Sequence, residues 1–498
     1  MDQYNSTTEV LEFLRRNAAF IGPQIHLILW GMGLLVLDFL IPKEKKHWIS
    51  LFSLIGIGAA TIHWYRLYRS GGVGHAFYDM ISLDSFSLFF QLTVLIAAAL
   101  TVLMSYRYLD VEGEQHGEYY ALILFSTSGM MFMAAALDLV TIFVGLELMS
   151  ISVYVLVGLL RGNMRSNEAS LKYFLLGAFS TGVLLYGMSL LYGISGSTNL
   201  QLIGQAVSQD ADNPVVVVGA VAMLAGLFFK VAAVPFHMWA PDAYEGAPTS
   251  VTAFMSVAVK AAAFAIFYRI LMVSLGSIHE LSMVLIAVVA ILTMTIGNWA
   301  AVTQTNVKRL LAYSSISHAG YVLLGLAAGT ELGIRAGAVY LFLYTFMNLG
   351  AWAVVLLLRR RSIAGEQMDD FNGLFFRNPC VAVLMLLFLL SLGGIPPLAG
   401  FIAKYYVFAA VVDVYLTTGS QLMLWLGVVA VINAVVALYY YIRIVLAMFI
   451  RELTEPAELN FSVGTSIALA ATAVATVLFG IFPGSIIRFA EVAAFPLL

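Results

Sequence analysis

The sequence predicts an all-α polytopic membrane protein of about 14 transmembrane helices, and its composition and apolar runs support that prediction. Of 498 residues, 61% are hydrophobic and only 11% are charged, whereas about 25% of the residues in a soluble domain are charged. The apolar residues form continuous runs of about 20, the length that an α-helix needs to cross the bilayer. Strands of a membrane barrel would alternate apolar and polar residues instead.

Charge and cysteine content exclude several classes of function. The chain has 25 Lys and Arg against 28 Asp and Glu, so it lacks the basic excess that a nucleic-acid partner requires. A single cysteine, Cys380, excludes intrachain disulfides, zinc sites built from several cysteines and cysteine-ligated iron-sulfur clusters. No metal or cofactor site is therefore predicted in this chain.

Fourteen apolar segments predict the spanning helices, and the connections between them are too short for an inserted soluble domain. The predicted spans cover residues 22–41, 48–67, 82–106, 118–136, 138–160, 168–193, 214–238, 249–272, 278–300, 307–328, 334–358, 380–410, 421–450 and 462–482. The longest polar connections lie around 194–213 and 359–379.

Lys and Arg residues are distributed unequally between the two sides of the predicted bundle. Loops after odd-numbered spans, with the adjoining helix ends, carry Lys43, Lys45, Lys46, Arg107, Arg161, Arg165, Lys308, Arg309, Arg359, Arg360, Arg361, Arg377, Arg443 and Arg451. The opposite side carries Arg15, Arg16, Arg66, Arg69, Arg269, Arg335 and Arg488. Because cytoplasmic loops are enriched in Lys and Arg, the odd loops are predicted to be cytoplasmic and both termini to lie outside.

Four ionisable residues fall inside the predicted spans. Glu147, Lys230, Lys260 and Lys404 each lie within an apolar run. A charged side chain at mid-helix costs about 2.5 to 3.5 kcal/mol on insertion scales, so such residues are rare unless they have a function. A lysine near a helix end can instead extend its head group to the interface. Lys230 argues against that reading, because about fifteen apolar residues precede it.

Two of these lysines lie beside predicted helix breaks. Pro235 follows Lys230 by five residues, and Pro396 and Pro397 precede Lys404. Proline removes a backbone donor and interrupts a helix, and paired broken helices are the best sequence indication of an ion site at the bilayer midplane. Proline kinks that serve only packing are the alternative. The breaks fall in the seventh and twelfth spans.

Since these two spans are an odd number of helices apart, the chain is predicted to contain two inverted five-helix repeats. The predicted units are residues 1–117 with spans 1 to 3, 118–272 with the first repeat, 278–450 with the second repeat, and 451–498 with the last span and the C-terminus. A buried lysine can hold or release one proton, and a nearby carboxylate can change which state it prefers. These residues therefore predict a proton relay in which Glu147 tunes Lys230, Lys260 passes the proton laterally and Lys404 releases it.

Three further residues are weaker candidates for the relay. Lys172 follows Glu168 by four residues, the spacing of a helical ion pair at a surface. His237 lies just beyond the first break, and His318 lies in the tenth span at nearly the place that Glu147 occupies in the first repeat. Imidazole titrates near neutrality and suits proton transfer, although a lone helical histidine is as often structural.

Several motifs resemble one family over essentially the whole chain. They are PFHMWAPDAYEGAPT at 235–249, GLE at 145–147, NEASLKYF at 167–174, NVKRLLAYSS at 306–315 with His318, and GIPPLAGFIAK at 394–404. This combination resembles the antiporter-like membrane subunits of respiratory complex I. The YEGAPT form and the lysine at 404 are most similar to the subunit N branch of that family.

The resemblance implies a function and a site. In this family a glutamate on helix 5, lysines on helices 7 and 8 and a lysine or glutamate on helix 12 form the proton path, which correspond to Glu147, Lys230, Lys260 and Lys404. The family also has a helix-6 lysine, which corresponds to Lys172. The resemblance implies a non-redox, proton-translocating subunit of an NADH-quinone oxidoreductase (translocase) in the bacterial inner membrane, with both termini in the periplasm.

Other membrane-arm subunits are implied on both sides of this chain, and flavin, iron-sulfur clusters and quinone are implied in partner subunits rather than here. Two alternatives stay open at this point. A cation/proton antiporter or membrane-bound hydrogenase subunit has the same fold and lysines. A self-contained transporter for a small solute also uses inverted repeats and broken helices.

Overall fold

The computed structural model describes residues 7–42, 45–71, 74–359, 365–452 and 459–494, and this part of the chain is a bundle of helices. Lys43, Arg360 and Arg361, which contribute to the predicted orientation, lie outside the described residues, as do the side chains of Arg15 and Arg16. The helices are α1 (Thr7–Ala18), α2 (Gly22–Leu40), α3 (His47–Arg69), α4 (Ser85–Glu112), α5 (Gly117–Ala135), α6 (Leu139–Val157), α7 (Met164–Ser195), α8 (Leu200–Gln209), α9 (Pro214–Val231), α10 (Trp239–Gly246), α11 (Thr249–Phe254), α12 (Lys260–Arg269), α13 (His279–Val302), α14 (Val307–Ala328), α15 (Glu331–Leu358), α16 (Leu374–Arg377), α17 (Pro379–Gly393), α18 (Ala399–Thr418), α19 (Gln421–Phe449), α20 (Val463–Ile481) and α21 (Gly484–Ala494).

The predicted spans correspond to these helices. Thirteen helices in the described part are long and apolar enough to cross a membrane. The remaining predicted span is α5, a 19-residue helix whose first turn contains Glu118 and Tyr119. The eighth span is continuous from Thr249 to Ser274, but π-helical turns at Met255–Val259 and Ile270–Ser274 flank α12. The all-α polytopic fold class is therefore confirmed.

Both predicted helix breaks are present. α9 ends at Val231 and the chain restarts as α10 at Trp239, while α17 ends at Gly393 and restarts as α18 at Ala399. At each break the residue after the first half-helix is left-handed, Ala232 at φ +58° and Gly394 at φ +87°. The Val234–Pro235 and Pro396–Pro397 peptide bonds are both cis. The two breaks thus have the same backbone design, 162 positions apart.

Main-chain pairing gives a second match between the repeats. Asp138 begins α6 and pairs with Asn199, and Asn306 begins α14 and pairs with Gln367. Both members of the second pair lie 168 positions after their counterparts. Because five spans separate the two sites, the first pair lies on the side of the even-numbered loops and the second on the side of the odd-numbered loops. This is the arrangement that inverted repeats require.

The central helices are buried and the peripheral ones are not. Within its most apolar 18-residue window, the continuous eighth span is 100% buried, and α14 and α15 are each 94% buried, against 28% for α2 and for α19. In a bundle of this kind, the outer helices contact lipid or neighbouring subunits. Polar side chains at the middle of the central helices are therefore buried.

Several short elements went unpredicted because they lack a spanning apolar run. They are α1, α8, α21 and an antiparallel hairpin of β1 (Gly74–Ala76) and β2 (Ile81–Leu83). Phe13 of α1 stacks on Tyr78 beside this hairpin, and Phe489 of α21 meets Tyr68 at the end of α3. Both terminal helices therefore lie on the same side of the bundle.

Candidate functional site

Lys230 lies in the last turn of α9, directly before the first break, and only 2% of it is exposed. Its Nζ donates to Ser150 Oγ at 2.9 Å and to Tyr154 Oη at 3.5 Å, both on α6. The main-chain oxygen of Phe229 accepts from the backbone N–H of Ala232 and from the Trp239 indole, each at 3.0 Å. Side chains from α6 and α10 thus satisfy the polar groups at the end of α9.

Glu147 lies one helical turn before Ser150 on the same face of α6, and it is half-buried. Among the described residues, no ion pair within 4 Å joins Glu147 to Lys230. The lysine instead contacts the hydroxyl groups that follow Glu147 along the helix face. The structure therefore brings α6, the helix of Glu147, to Lys230, and the hydrogen bonds of the lysine go to Ser150 and Tyr154 of that helix.

Lys260 begins α12 directly after a π-helical turn, and 3% of it is exposed. Its Nζ donates to the Ser315 main-chain oxygen at 2.5 Å and to Ser315 Oγ at 2.6 Å. Ser315 belongs to α14, so this lysine of the first repeat bonds to a helix of the second. π-Helical turns occur often at functional sites. No pattern in the sequence predicts the turn at Met255–Val259.

His318 lies one turn further along α14 and is 3% exposed. Its Nδ1 is 2.6 Å from Tyr340 Oη, and its Nε2 is 3.2 Å from Tyr441 Oη. The Tyr441 hydroxyl also bonds to Ser314 Oγ at 2.5 Å. A neutral imidazole donates from one nitrogen and accepts at the other, and a hydroxyl can do either, so this chain of groups is able to pass a proton in either direction.

Lys404 is the sixth residue of α18 and is 4% exposed. Its Nζ turns back across the second break and donates to the main-chain oxygens of Leu392 at 3.1 Å and Gly393 at 2.9 Å. The same nitrogen lies 5.0 Å from the centroid of the Tyr321 ring. Lysine thus caps the carbonyl end of α17, which attracts a cation.

Helix α14 connects these groups. Ser315, His318 and Tyr321 follow one another at intervals of three residues, with Lys260 at the first and Lys404 at the last. The centroids of the His318 and Tyr321 rings are 6.1 Å apart. The structure therefore brings Lys260, His318 and Lys404 to one buried helix of the second repeat. Lys230 lies on α9, which packs against α12 through Phe228 and Phe267.

The two other candidates lie apart from this group. Lys172 is exposed and pairs with Glu168 Oε1 at 2.7 Å, as its spacing predicts, but also with Asp242 Oδ2 of α10 at 3.0 Å. His237 lies in the first break and is half-buried, and its Nδ1 has no hydrogen-bond partner among the described residues.

Sequence reasoning missed the neutral partners of the lysines. Ser150, Ser315, Tyr340 and Tyr441 are common residues in a membrane bundle, and only the packing of distant helices brings them to a lysine or histidine. Asp242 and Arg309 lie within the motifs that resemble the family, and their side chains pair at 2.7 Å. No group of three or more His, Cys, Asp or Glu side chains within the described ranges is placed to hold a metal ion.

Comparison with known proteins identifies the family. The family model described as NADH:quinone oxidoreductase/Mrp antiporter, TM, matches residues 136–432. The chain is 49% identical over 484 residues to NADH-quinone oxidoreductase subunit N 2 of Solibacter usitatus, covering 95% of this chain and 97% of that one. It is 44% identical to NADH-quinone oxidoreductase subunit N of Trichlorobacter lovleyi, covering 96% of this chain and 97% of that one. The chain belongs to the subunit N family of NADH-quinone oxidoreductase.

Solved structures agree with this assignment. A chain of respiratory complex I from Thermus thermophilus with bound aureothin is 32% identical and superposes with a TM-score of 0.77 over 94% of this chain and 98% of that one. A chain of the Mrp complex from Dietzia sp. superposes with a TM-score of 0.82 at 22% identity over 96% of this chain and 97% of that one, a likeness that shows the fold alone. The subunit N family comprises antiporter-like membrane subunits of complex I, so the predicted membrane-arm role is confirmed at that level.

Proposed function

We propose that this chain translocates protons across the membrane through Glu147, Lys230, Lys260 and Lys404. Glu147 tunes Lys230, Lys260 receives the proton from the first repeat, and Lys404 releases it. His318 carries the proton along α14 between the last two lysines. Quinone reduction in partner subunits of the NADH-quinone oxidoreductase drives the cycle.

The observation that supports this relay is the nature of the lysines' partners. Each of Lys230, Lys260 and Lys404 is buried, and among the described residues each is bonded only to neutral oxygen atoms. Lys308 provides the contrast, because it is equally buried but paired with Glu366 Oε1 at 3.1 Å. A buried ammonium group without a carboxylate is costly, so such a lysine is able to lose its proton when its surroundings change.

The free energy needed to move a proton against the membrane potential is comparable to that of a small change in the proton affinity of a lysine. Moving one charge against 100 mV costs about 2.3 kcal/mol, and a tenfold change in proton affinity corresponds to about 1.4 kcal/mol. A change in distance between Glu147 and Lys230 in a poorly solvated site is enough to supply such a difference. Hydration along the path completes the relay, since protons do not cross dry hydrocarbon.

This chain takes no part in electron transfer under this proposal. NADH oxidation and quinone reduction occur in partner subunits, which hold the flavin, the iron-sulfur clusters and the quinone. Conformational or electrostatic change reaches this chain through neighbouring membrane subunits. Its only sulfhydryl group, on Cys380, is exposed at the start of α17.

The first break supports the presence of membrane neighbours. Pro235, Phe236 and Met238 are exposed in the isolated chain at the level where the helix is interrupted. Lipid cannot satisfy irregular backbone, so such a segment is tolerated where other protein or water covers it. We infer that membrane-arm subunits flank this chain on both sides. The excess of Lys and Arg in the odd-numbered loops supports a bacterial inner-membrane orientation with both termini in the periplasm.

Substitution of two lysines tests the proposed function. In the complex reconstituted into liposomes, Lys230→Ala and Lys404→Ala each remove one transfer step, which we expect to slow proton transfer by about 100-fold. The measurement is proton uptake, followed with a pH-sensitive dye, at a matched rate of NADH oxidation. Lys46→Gln, which removes a lysine paired with Asp38 at a helix end, serves as the control. Unmodified pumping by both relay variants contradicts the proposal.

A further inference from the structure

A group of charged side chains joins the two repeats beside the first broken helix. Arg309, in the first turn of α14, donates from Nη1 to Asp242 Oδ1 at 2.7 Å and to Glu245 Oε2 at 3.0 Å, both on α10. The preceding residue, Lys308, donates to the main-chain oxygen of Ala247 at 2.8 Å, directly after α10. Two adjacent cations of the second repeat therefore hold the second half of the first broken helix.

A lysine of the first repeat also binds the carboxylate of Asp242. Lys172 of α7 donates to Asp242 Oδ2 at 3.0 Å, so each oxygen of this carboxylate has a cation from a different repeat. Partial burial opposes ionisation of Asp242, but the hydrogen bonds from Arg309 and Lys172 outweigh it and hold the pKa of that carboxyl below its usual value. Asp242 is therefore a charged junction between α7, α10 and α14.

Comparison of the two helix breaks indicates the role of the junction at Asp242. With the same offset of 162 positions that relates Ala232 to Gly394 and Pro235 to Pro397, Asp242 corresponds to Lys404. In the second repeat, the lysine at this position ties α18 back to α17 of its own broken helix. In the first repeat, the acid at this position ties α10 outward, to the helix that carries Ser315 and His318.

We propose that Arg309 is a positioning residue that couples the two repeats by holding α10 against the first turn of α14. A change at Lys230 moves the half-helices of the first break relative to one another. Through Asp242 and Arg309 that movement reaches α14, and with it the partners of Lys260. This inference rests on the proposed function, because it assigns a coupling role within the same relay.

The degree of exposure supports a coupling role rather than a purely structural one. The side chains of Arg309 and Asp242 are 30% and 33% exposed, and ion pairs with this much exposure contribute little to stability. The ion pairs instead fix the geometry. Arg309 stays bonded to both carboxylates of α10 only while α10 and α14 keep their relative positions. Coupling between sites needs such a contact whose geometry differs between two states.

The test compares Arg309→Gln and Arg309→Lys in the complex reconstituted into liposomes. We expect Arg309→Gln to lower the number of protons translocated per NADH oxidised, with the step through this chain slowed about fivefold or more. Arg309→Lys retains the charge and should recover most of the ratio. A purely structural defect lowers assembled complex, proton transport and NADH oxidation together and leaves that ratio unchanged, which would overturn the inference.

A matched control exists in the same chain. Arg335 also joins two carboxylates, Glu491 at 2.8 Å and Glu331 at 3.0 Å, but it does not connect the repeats. Arg335→Gln should leave the ratio of protons to NADH unchanged. A fall in that ratio equal to that of Arg309→Gln would mean that loss of any such ion pair has this effect, and would overturn the inference.

Two milder variants keep the test decisive if Arg309→Gln fails to assemble. Asp242→Asn and Glu245→Gln each leave Arg309 with one of its two carboxylates, and both should lower the ratio. An unmodified ratio in both assembled variants would overturn the inference. If these variants pump normally while Lys230→Ala does not, the relay stands and only the coupling role of Arg309 fails. If Lys230→Ala also pumps normally, the proposed function itself fails.

Discussion

The two broken helices share a backbone but hold their lysines in different ways. In α9 and α10, Lys230 belongs to the half-helix before the break and contacts hydroxyl groups of another helix, α6. In α17 and α18, Lys404 belongs to the half-helix after the break and contacts main-chain oxygens of its own broken helix. The hydrogen bonds of the first lysine depend on where α6 lies relative to α9, whereas those of the second lie within its own broken helix.

Within the proposed relay, this difference favours different tasks for the two lysines. A lysine on side-chain hydroxyls loses its partners when the neighbouring helix shifts, so its environment can change during a cycle. A lysine on the carbonyl end of α17 keeps two acceptors and the attraction of a helix C-terminus. We infer that Lys230 is the responsive group near Glu147, and that Lys404 is held at a fixed place from which it exchanges protons with His318 and with the exit side.

Among the substitutions that test this difference between Lys230 and Lys404, we expect the largest effect at Ser150. Ser150→Ala removes the closer partner of Lys230, and hydrogen bonds to charged groups are worth about 1.5 to 3 kcal/mol, so we expect proton transfer to slow by about tenfold or more. No side-chain substitution can remove the carbonyl partners of Lys404 in the same way. The measurement is proton uptake per NADH oxidised in liposomes.

Ser152 provides the control for that substitution. It lies on the same helix and is also buried, but its hydroxyl donates to the main-chain oxygen of Leu148 at 2.7 Å. Ser152→Ala should therefore leave proton uptake close to its normal value. Equal rates for Ser150→Ala and Ser152→Ala would show that the hydroxyl contact of Lys230 has no role in transfer.

A smaller effect is expected where each first half-helix ends. Gly394 and Ala232 are both left-handed, and a side chain in that conformation costs about 1 to 2 kcal/mol. A Cβ on Gly394 would lie 2.8 Å from Lys404 Cδ, so Gly394→Ala should lower the midpoint of thermal unfolding and displace the lysine. Ala232→Gly relieves the same strain and should not lower that midpoint. Unaltered stability of Gly394→Ala would contradict this account.

The smallest effect concerns Asp242, the counterpart of Lys404. Because its pKa is lowered in the folded chain, its contribution to stability is complete above its ordinary pKa and is lost as the pH falls through the lowered value. The difference in thermal stability between the native chain and Asp242→Asn should be constant at neutral pH and disappear in acid. Partial exposure limits it to about 1 kcal/mol or less. A difference that persists in acid would show that the charge of Asp242 is not its cause.

The sequence was sufficient to predict the spans and both breaks. Continuous apolar runs have one stable form in a bilayer, since a helix satisfies its own backbone groups there, and Pro235, Pro396 and Pro397 cannot continue such a helix. The same reasoning identified Glu147, Lys230, Lys260 and Lys404, because a charge within an apolar run is unusual in itself. It did not find α1, α8, α21 or the hairpin, because these elements are too short to contain a spanning apolar run.

The partners of those residues could not be predicted in this way. Ser150 lies 80 positions from Lys230, Ser315 lies 55 from Lys260, and Tyr441 lies 123 from His318. Serine and tyrosine are ordinary components of membrane helices, so nothing in their local sequence marks these positions. The predicted relation between Glu147 and Lys230 likewise depends on the tertiary structure, which brings Ser150 and Tyr154 of α6 within hydrogen-bond distance of the lysine.

By itself, the sequence determined that the chain crosses the membrane repeatedly, where its helices break and which lysines lie within apolar runs, because each of these follows from the energy of placing a local segment in lipid. Only the tertiary structure decided that Lys230 contacts α6, that Lys260 reaches α14 and that Lys404 caps α17. Those contacts depend on how helices distant in sequence pack, and hydrophobic burial, which is not directional, does not specify them. The junction at Asp242 belongs to the same class, since its two cations come from different repeats.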